Sequence, residues 1–354
     1  MAVDAVLRSG QLAGDGNLPE FEQQLRAFLG ATHVTLTAEF SRSIEMVLRM
    51  AGVRPGDSVL LSPLACLATT MPLLQVGAKP VWCDIDPNSG GILPEEIPRH
   101  HRHDAKAVLV YHWVGVPADI TAIRQTAGAL GLAIIEDAGE ALGAERDGRR
   151  VGAHGCDYTV FSFSPVRHIT TGEGAAISFA DASNYQLATI WRRYGIPPSE
   201  FRDGLGEIRQ ACDIAVPGFH NFMNRIAGAL GVLQMDALPG IIAACRSNGA
   251  FFDKALDGAD GVYLLPHAAG TVPSYWVYCL RCERRDDLLR KLREAGIYAS
   301  TVHARNDAYS CFGGSPANLP GVDAFAREQL CLPCGWWVTS EDREYIAATI
   351  RNGW

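Results

Sequence analysis

The strongest constraint on the fold is a series of short, continuous apolar runs, each bounded by turn residues and separated from the next by a helix-length stretch. HVTLT (33–37), SVLLS (58–62), PVWCDID (80–86), AVLVYHW (107–113) and LAIIEDA (132–138) have this form. A strand with one face in water alternates apolar and polar residues, whereas a strand covered on both faces has no need to. The stretches between them predict the covering helices: SRSIEMVLRMAGV ending at Gly52, a segment reaching Gly77, and ADITAIRQTAGALG. The pattern is that of a parallel sheet with helices on both faces. YTVFSFS (158–164) and AAISFA (175–180) read as two further strands joined by a glycine-containing turn.

After Ala227 the rhythm changes. A helix from about Asn224 to Leu238 runs into another from Ile241 to Leu256, followed by a strand at YWVYCLRC (275–282) and the helix RRDDLLRKLREAG. IYASTVH (297–303) reads as a strand, and a closing helix begins near Ser340, with Glu341 and Asp342 where a helix N-terminus favours carboxylates. The expectation is a large α/β domain over 1–235 and a small C-terminal α+β domain over 236–354.

Composition narrows the function classes. Of 354 residues, 48% are apolar and 20% charged, which supports a large core and argues against disorder. A formal charge of −8 disfavours nucleic acid and anionic membrane as partners. No stretch approaches the ~20 apolar residues of a membrane span, and the N-terminus lacks the pattern of a secretory signal, so a cytoplasmic location is expected. The ten cysteines, spread over the whole chain, read as reduced and mostly buried.

Ligands of open α/β sheets bind at the carboxyl ends of the strands, and three features gather there. Asp137, closing LAIIEDA, suits a protonated ring nitrogen, though an aspartate there equally suits a cap for a following helix. Ser41 opens the helix after 33–37, where free N–H groups receive an anion or a plain N-cap. The run FSFSPVRHITTGEGAA (161–176) carries Ser162 and Ser164, two apart on a strand, and then a turn with Gly172 and Gly174. By composition alone that run is an ordinary hairpin.

In order and spacing these pieces resemble the DegT/StrS family of sugar aminotransferases, pyridoxal-phosphate (PLP) enzymes of fold type I. The resemblance spans almost the whole chain, from SGQLAGDGNLPEFEQQLRAFLGATHV through AGVRPGDSVLLSP, VGAKPVWCDID, VGVPADITAI, GLAIIEDAGEALGAERDGRRVGAHG and FSFSPVRHITTGEGAA to CLPCGWWVTSEDREYI. It implies a large domain with a mostly parallel mixed sheet, a smaller C-terminal domain, and a homodimer with its cleft between subunits. Residue by residue, it puts Asp137 on the pyridine nitrogen, Ser162 and Ser41 at the cofactor phosphate, and Glu140 where a Gln or His lies near the phenolic oxygen. His220 falls where the family has an Asn reaching the neighbour's phosphate, with Asn221 one step along. His303, Arg305, Asn306 and Asp307, after the 297–303 segment, lie where the family holds its substrate.

The departures from the family pattern are concentrated in the site. Arg167 takes the place of the Schiff-base lysine; a guanidinium stays protonated and cannot form the link. His168 is adjacent to that position but not in it. Leu67 replaces the ring that stacks on the pyridine, and Glu39-Phe40 replace the Ser-Gly of the phosphate loop, setting a carboxylate beside a phosphate unless Arg42 neutralises it. Phe40 also removes the glycine that lets the backbone approach closely. The resemblance therefore implies amino-sugar or small-molecule biosynthesis, with transamination of a keto substrate, a nucleotide-linked sugar among the candidates, as the family reaction. It implies PLP or its amine form, pyridoxamine phosphate (PMP), held noncovalently if bound at all, and altered chemistry at residue 167. The rival expectation is a cofactor-independent scaffold or partner protein that keeps the fold. Cys331 and Cys334 form a lone CxxC with no second ligand pair, which reads as structural.

Overall fold

In the computed structural model, which describes residues 2–354, the apolar runs form one seven-stranded sheet. Helices α1 (Ala2–Ser9) and α2 (Leu18–Leu29) precede β1 (His33–Thr37), α3 (Phe40–Met50), β2 (Ser58–Leu61), α4 (Leu67–Gln75) and β3 (Lys79–Trp82). There follow α5 (Glu96–His100), β4 (Ala105–Tyr111), α6 (Ile120–Ala129) and β5 (Ala133–Asp137). A hairpin of β6 (Glu145–Arg146) and β7 (Arg149–Arg150) leads to β8 (Tyr158–Ser162), β9 (Ala175–Phe179) and α7 (Ala182–Trp191). The sheet order is β1-β9-β8-β5-β4-β2-β3. All neighbours are parallel except β9, which runs antiparallel to both β1 and β8.

The continuous apolar runs are explained by burial on both faces. On one face Ile44, Val47, Leu73 and Ala188 from the helices pack on Val59, Leu109, Ile135 and Val160. On the other, Ile97, Ile120 and Ile123 pack on Leu60, Val108, Val110 and Ile134. Each such side chain, removed from water, contributes about 1.5–3 kcal/mol. The exception is Glu136, which is completely buried one residue before Asp137 and therefore points to the opposite face. His112 Nε2 donates to it at 3.1 Å and Thr159 Oγ1 at 2.5 Å. Burial, the largest influence, pushes the Glu136 carboxyl up, yet these two partners outweigh it and hold it below its usual value.

The C-terminal part begins with α8 (Arg225–Met235) and α9 (Leu238–Leu256). Pro239 explains the break between them, because it lies in the first turn of α9, where its missing N–H costs nothing. Strands β10 (Val262–Leu264) and β11 (Thr271–Val272) follow, then β12 (Tyr278–Cys282), α10 (Arg285–Glu294), α11 (Pro320–Glu328), β13 (Gln329–Leu332) and α12 (Ser340–Arg351). β10, β12 and β13 make an antiparallel sheet whose core includes Phe252, Leu280, Leu288, Leu330 and Ile350. β11 pairs instead with β6, making a separate three-stranded sheet with the β6–β7 hairpin that precedes β8. At the start of α12, Thr339 and Asp342 satisfy each other's backbone N–H groups in a capping box.

One predicted strand is absent. Residues 297–303 make a single bridge, Ser300 with Cys331, and Val302 has φ 59°, a left-handed turn that no strand tolerates. All ten cysteines are free, Cys331 and Cys334 included. Among the described residues no single helix is long and apolar enough to cross a membrane.

Candidate functional site

Parallel strands end together, and β4, β5 and β8 bring Tyr111, Asp137 and Ser162 to one edge of the sheet. Tyr111 pairs in register with Asp137, and Asp137 with Val160, two residues before Ser162. A Cβ built on Gly139 would stand 3.1 Å from Asp137 Oδ1 and 3.4 Å from the Cβ of Ser162, so these residues share one small space. No helix follows Asp137 directly. Its Oδ1 accepts from Gly139 N at 2.8 Å, capping a turn, while Oδ2 accepts from the Thr69 hydroxyl on α4. Burial, the dominant influence, lifts the Asp137 carboxyl above its usual value despite those two bonds.

Glu140, three residues on and only 1% exposed, is the hub of the site. Arg167 Nη1 donates to its Oε1 at 3.3 Å, His303 Nε2 lies 3.2 Å from the same oxygen, and Val114 N donates to Oε2 at 3.1 Å. The Tyr111 hydroxyl stands 2.9 Å from His303 Nε2. Burial is again the largest influence on Glu140 and pushes it up, but His303 and the Arg167 charge prevail and keep it below the usual carboxylate range. The Arg167 side chain reaches this hub from the β8–β9 connection. Its guanidinium carbon sits 4.6 Å from the centre of the Trp276 ring, within cation–π range. Trp276 Nε1 in turn donates to the Val166 carbonyl at 2.5 Å, pinning the turn that carries Arg167.

The remaining predicted site residues are placed differently. His168 makes no hydrogen bond to the hub; its Nε2 lies 3.1 Å from the Ser274 carbonyl, and burial drives its imidazole down to about 4. Ser41 is not the N-cap of α3. Glu39 is, because its longer side chain reaches back to the N–H groups of both Ser41 and Arg42. Arg42 does not neutralise Glu39 by an ion pair; it pairs with Glu45 at 2.8 Å. Leu67 opens α4 with 38% of its surface exposed. His220 is exposed and stacks on Tyr194 at 5.3 Å, while Asn221 is fully buried against the 38–43 segment. Of the four residues after 302, only His303 enters the hub. Arg305 pairs with Asp307 and with Asp323 of α11, and Asn306 Nδ2 donates to the Ala65 carbonyl and to Thr70 of α4, so these three anchor the loop to α11 and to the start of α4.

Sequence reasoning missed Tyr111, Thr69 and Trp276. Tyr111 was accessible, since it closes a strand beside the one ending in Asp137. Trp276 had no local signal, because it arrives from 109 residues beyond Arg167 along the chain through a left-handed Tyr275, φ 50°.

The pattern of the DegT/DnrJ/EryC1/StrS aminotransferase family matches residues 1–351. The chain belongs to this family. A relative in Streptomyces venezuelae, dTDP-3-amino-3,4,6-trideoxy-alpha-D-glucose transaminase, is 28% identical over 94% of this chain and 86% of its own. The sugar aminotransferase CalS13 from Micromonospora echinospora is 31% identical, with a TM-score of 0.94, covering 100% of this chain and 96% of its own. Spr1654 of Streptococcus pneumoniae, solved in a PLP-form and a PMP-form, is 22% and 23% identical with TM-scores of 0.88, and shares the fold over 99% of this chain and 94% and 95% of its own. The architecture is thus that of fold type I, and homologues in the DegT/DnrJ/EryC1/StrS family bind PLP or PMP.

Against that background the lysines are informative. The chain has four: Lys79 and Lys106 at the starts of β3 and β4, and Lys254 and Lys291 on α9 and α10. The first two lie at the opposite edge of the sheet from Asp137, and none joins the Glu140 hub.

Proposed function

We propose that this chain serves amino-sugar biosynthesis as a DegT-family protein that makes no covalent link to PLP, Arg167 standing where the family carries its lysine. The observation that carries the reading is the Arg167–Glu140 pair, set at the strand edge where the sequence resemblance puts the lysine. Covalent attachment needs a neutral amine, and a guanidinium with a pKa above ~12 supplies none at working pH. The residues present do not fit a lysine-linked cofactor.

What these side chains do instead is hold charge. Arg167 and His303 keep Glu140 ionised, and Trp276 covers the guanidinium of an Arg167 side chain that is 12% exposed. A buried ionised carboxylate with a histidine and a tyrosine on it is a proton-holding site, with Glu140 Oε1, His303 Nε2 and Tyr111 Oη in one chain of contacts. On this reading the ligand is a nucleotide-linked sugar, the class named for the Streptomyces venezuelae relative. The protein acts in the cytoplasm as a homodimer, each cleft completed by the neighbour's GFHNFMNRI segment (218–226); a monomer in sedimentation at micromolar concentration would sink that part. A second reading, a partner or scaffold protein without chemistry, is favoured by Asp137. Both of its oxygens already accept bonds within the chain.

The test is borohydride reduction in the presence of PLP followed by intact mass, on the natural protein and Arg167→Lys together. The expected result is no stoichiometric pyridoxyl adduct on the natural protein. An adduct there would overturn the reading. An adduct confined to the variant would show that residue 167 alone had closed the covalent route.

A further inference from the structure

The N-terminus of α3 presents the backbone N–H groups that the family resemblance assigns to a cofactor phosphate. In this chain a carboxylate already has them. Glu39 Oε1 accepts from Ser41 N at 2.7 Å and Oε2 from Arg42 N at 2.5 Å. An anion at a helix N-terminus gains from both the free N–H groups and the helix dipole, and only one anion can hold a given pair.

The arrangement is supported from behind. Asn221 Oδ1 accepts from Ala38 N and Glu39 N at 3.1 and 3.0 Å, and its Nδ2 donates to Ser43 Oγ at 3.1 Å. Ser43 Oγ also donates to the Glu39 carbonyl at 2.6 Å. Phe40, next in the chain and 7% exposed, turns its ring toward the strand edge: its Cε2 would stand 3.4 Å from a Cβ on Gly139, in the space shared by Asp137 and Ser162. The phosphate end and part of the ring end of the family's cofactor site are thus taken by adjacent residues of the chain itself.

We propose that Glu39 is a built-in substitute for phosphate, occupying the anion hole of α3 and excluding phosphate-tailed ligands, PLP and PMP among them. The inference uses the location of the site adopted above but not the identity of residue 167. It makes the loss of the cofactor a property of two separate places in the chain, and it casts Glu39 as a specificity-determining residue that acts by repulsion.

The experiment is calorimetric titration of the purified full-length protein with PMP, in phosphate-free buffer. PMP carries no aldehyde, so its binding involves no Schiff base at residue 167, and failure here is separable from failure of the borohydride test. Glu39→Ser keeps an N-cap of the preferred type, and Glu39→Gln keeps the length without the charge; Glu39→Asp keeps the charge. PMP should bind both neutral variants about 10- to 100-fold more tightly than the natural protein, the range of one or two charge-assisted hydrogen bonds. Glu39→Asp should match the natural protein. Pyridoxamine, which lacks the phosphate, should change by less than about twofold throughout, since nothing in the variants but the phosphate contact differs. Equal PMP affinity for the natural protein and both neutral variants would overturn the proposal. So would a gain for pyridoxamine as large as that for PMP, which would make the effect one of space rather than charge.

Discussion

Acidification should unfold this protein partly through one residue, His168. Its imidazole is buried against the Ser274 carbonyl, and burial, with the Arg167 and Arg246 charges beside it, lowers its proton affinity from 6.5 to about 4. The Ser274 carbonyl and Glu140 pull the other way and do not prevail. In the unfolded chain the same ring takes a proton near 6.5. Between those values the unfolded state holds the extra proton, so falling pH favours unfolding. The stabilisation is full above pH 6.5 and is lost progressively down to about pH 4. At about 1.36 kcal/mol per tenfold change in proton affinity, the interval is worth about 3 kcal/mol. The assay is urea unfolding at half-unit steps of pH, comparing the natural protein with His168→Gln, whose amide keeps a donor for Ser274 and does not titrate. Glu140, held low, loses its contribution only in more acid solution, and Asp137, held high, works in the opposite sense; both are common to the two proteins and drop out of the difference. The variant should therefore show the flatter profile, its deficit at pH 7 shrinking by about 3 kcal/mol as the pH falls to 4. Parallel profiles would refute the argument, because they would mean that His168 binds its proton equally well folded and unfolded.

Glu140→Gln should destabilise the protein by about 2–4 kcal/mol in the same assay, since it strands the Arg167 charge in a buried place; Glu140→Gln with Arg167→Met should recover part of the loss. Asn221→Ala removes the side-chain acceptor of the Glu39 N–H, while the Ala38 N–H keeps the Asn221 backbone carbonyl, and should cost about 1–3 kcal/mol by chemical unfolding. A cost below about 0.5 kcal/mol would mean that water replaces the amide there.

The large sheet was legible because its strands are buried on both faces, so the hydrophobic signal is continuous and strong: β1, β2, β4, β5, β8 and β9 lie where the apolar runs put them. The 297–303 segment misled for the opposite reason. Its Ile, Tyr, Thr and Val have strand propensity, but propensity describes a residue's fit to a pleated surface, and here the backbone leaves the open edge of β13 after one bridge. β13 pairs with β12, and 297–303 is left at the edge with one bridge. Val302 then turns left-handed, and the turn delivers His303 to Glu140. The same limit applied to the site. Asp137 and Ser162 were visible as strand ends, a local property, and Arg167 was visible as an arginine where the resemblance expects a lysine. How that arginine is compensated was not visible, because Glu140 and Trp276 meet it from two distant parts of the chain.

Glu39 shows how a local feature acquires its meaning only from its surroundings. In sequence it stood out as a carboxylate beside an anion site, apparently a liability awaiting compensation by Arg42. In the structure Arg42 is committed to Glu45, and Glu39 needs no partner of opposite charge, because the helix N-terminus itself supplies the positive end. The carboxylate is then not opposing a phosphate that lies next to it but standing in for one. The buried arginine is likewise compensated, by Glu140 and the face of Trp276. Arg167 and Glu39 each have partners within the chain, so changing either one alone removes half of a matched set. For that reason Arg167→Lys would place a lysine against Glu140 while Glu39 still holds the phosphate cup, and a cofactor would return fully only when both ends are reopened together.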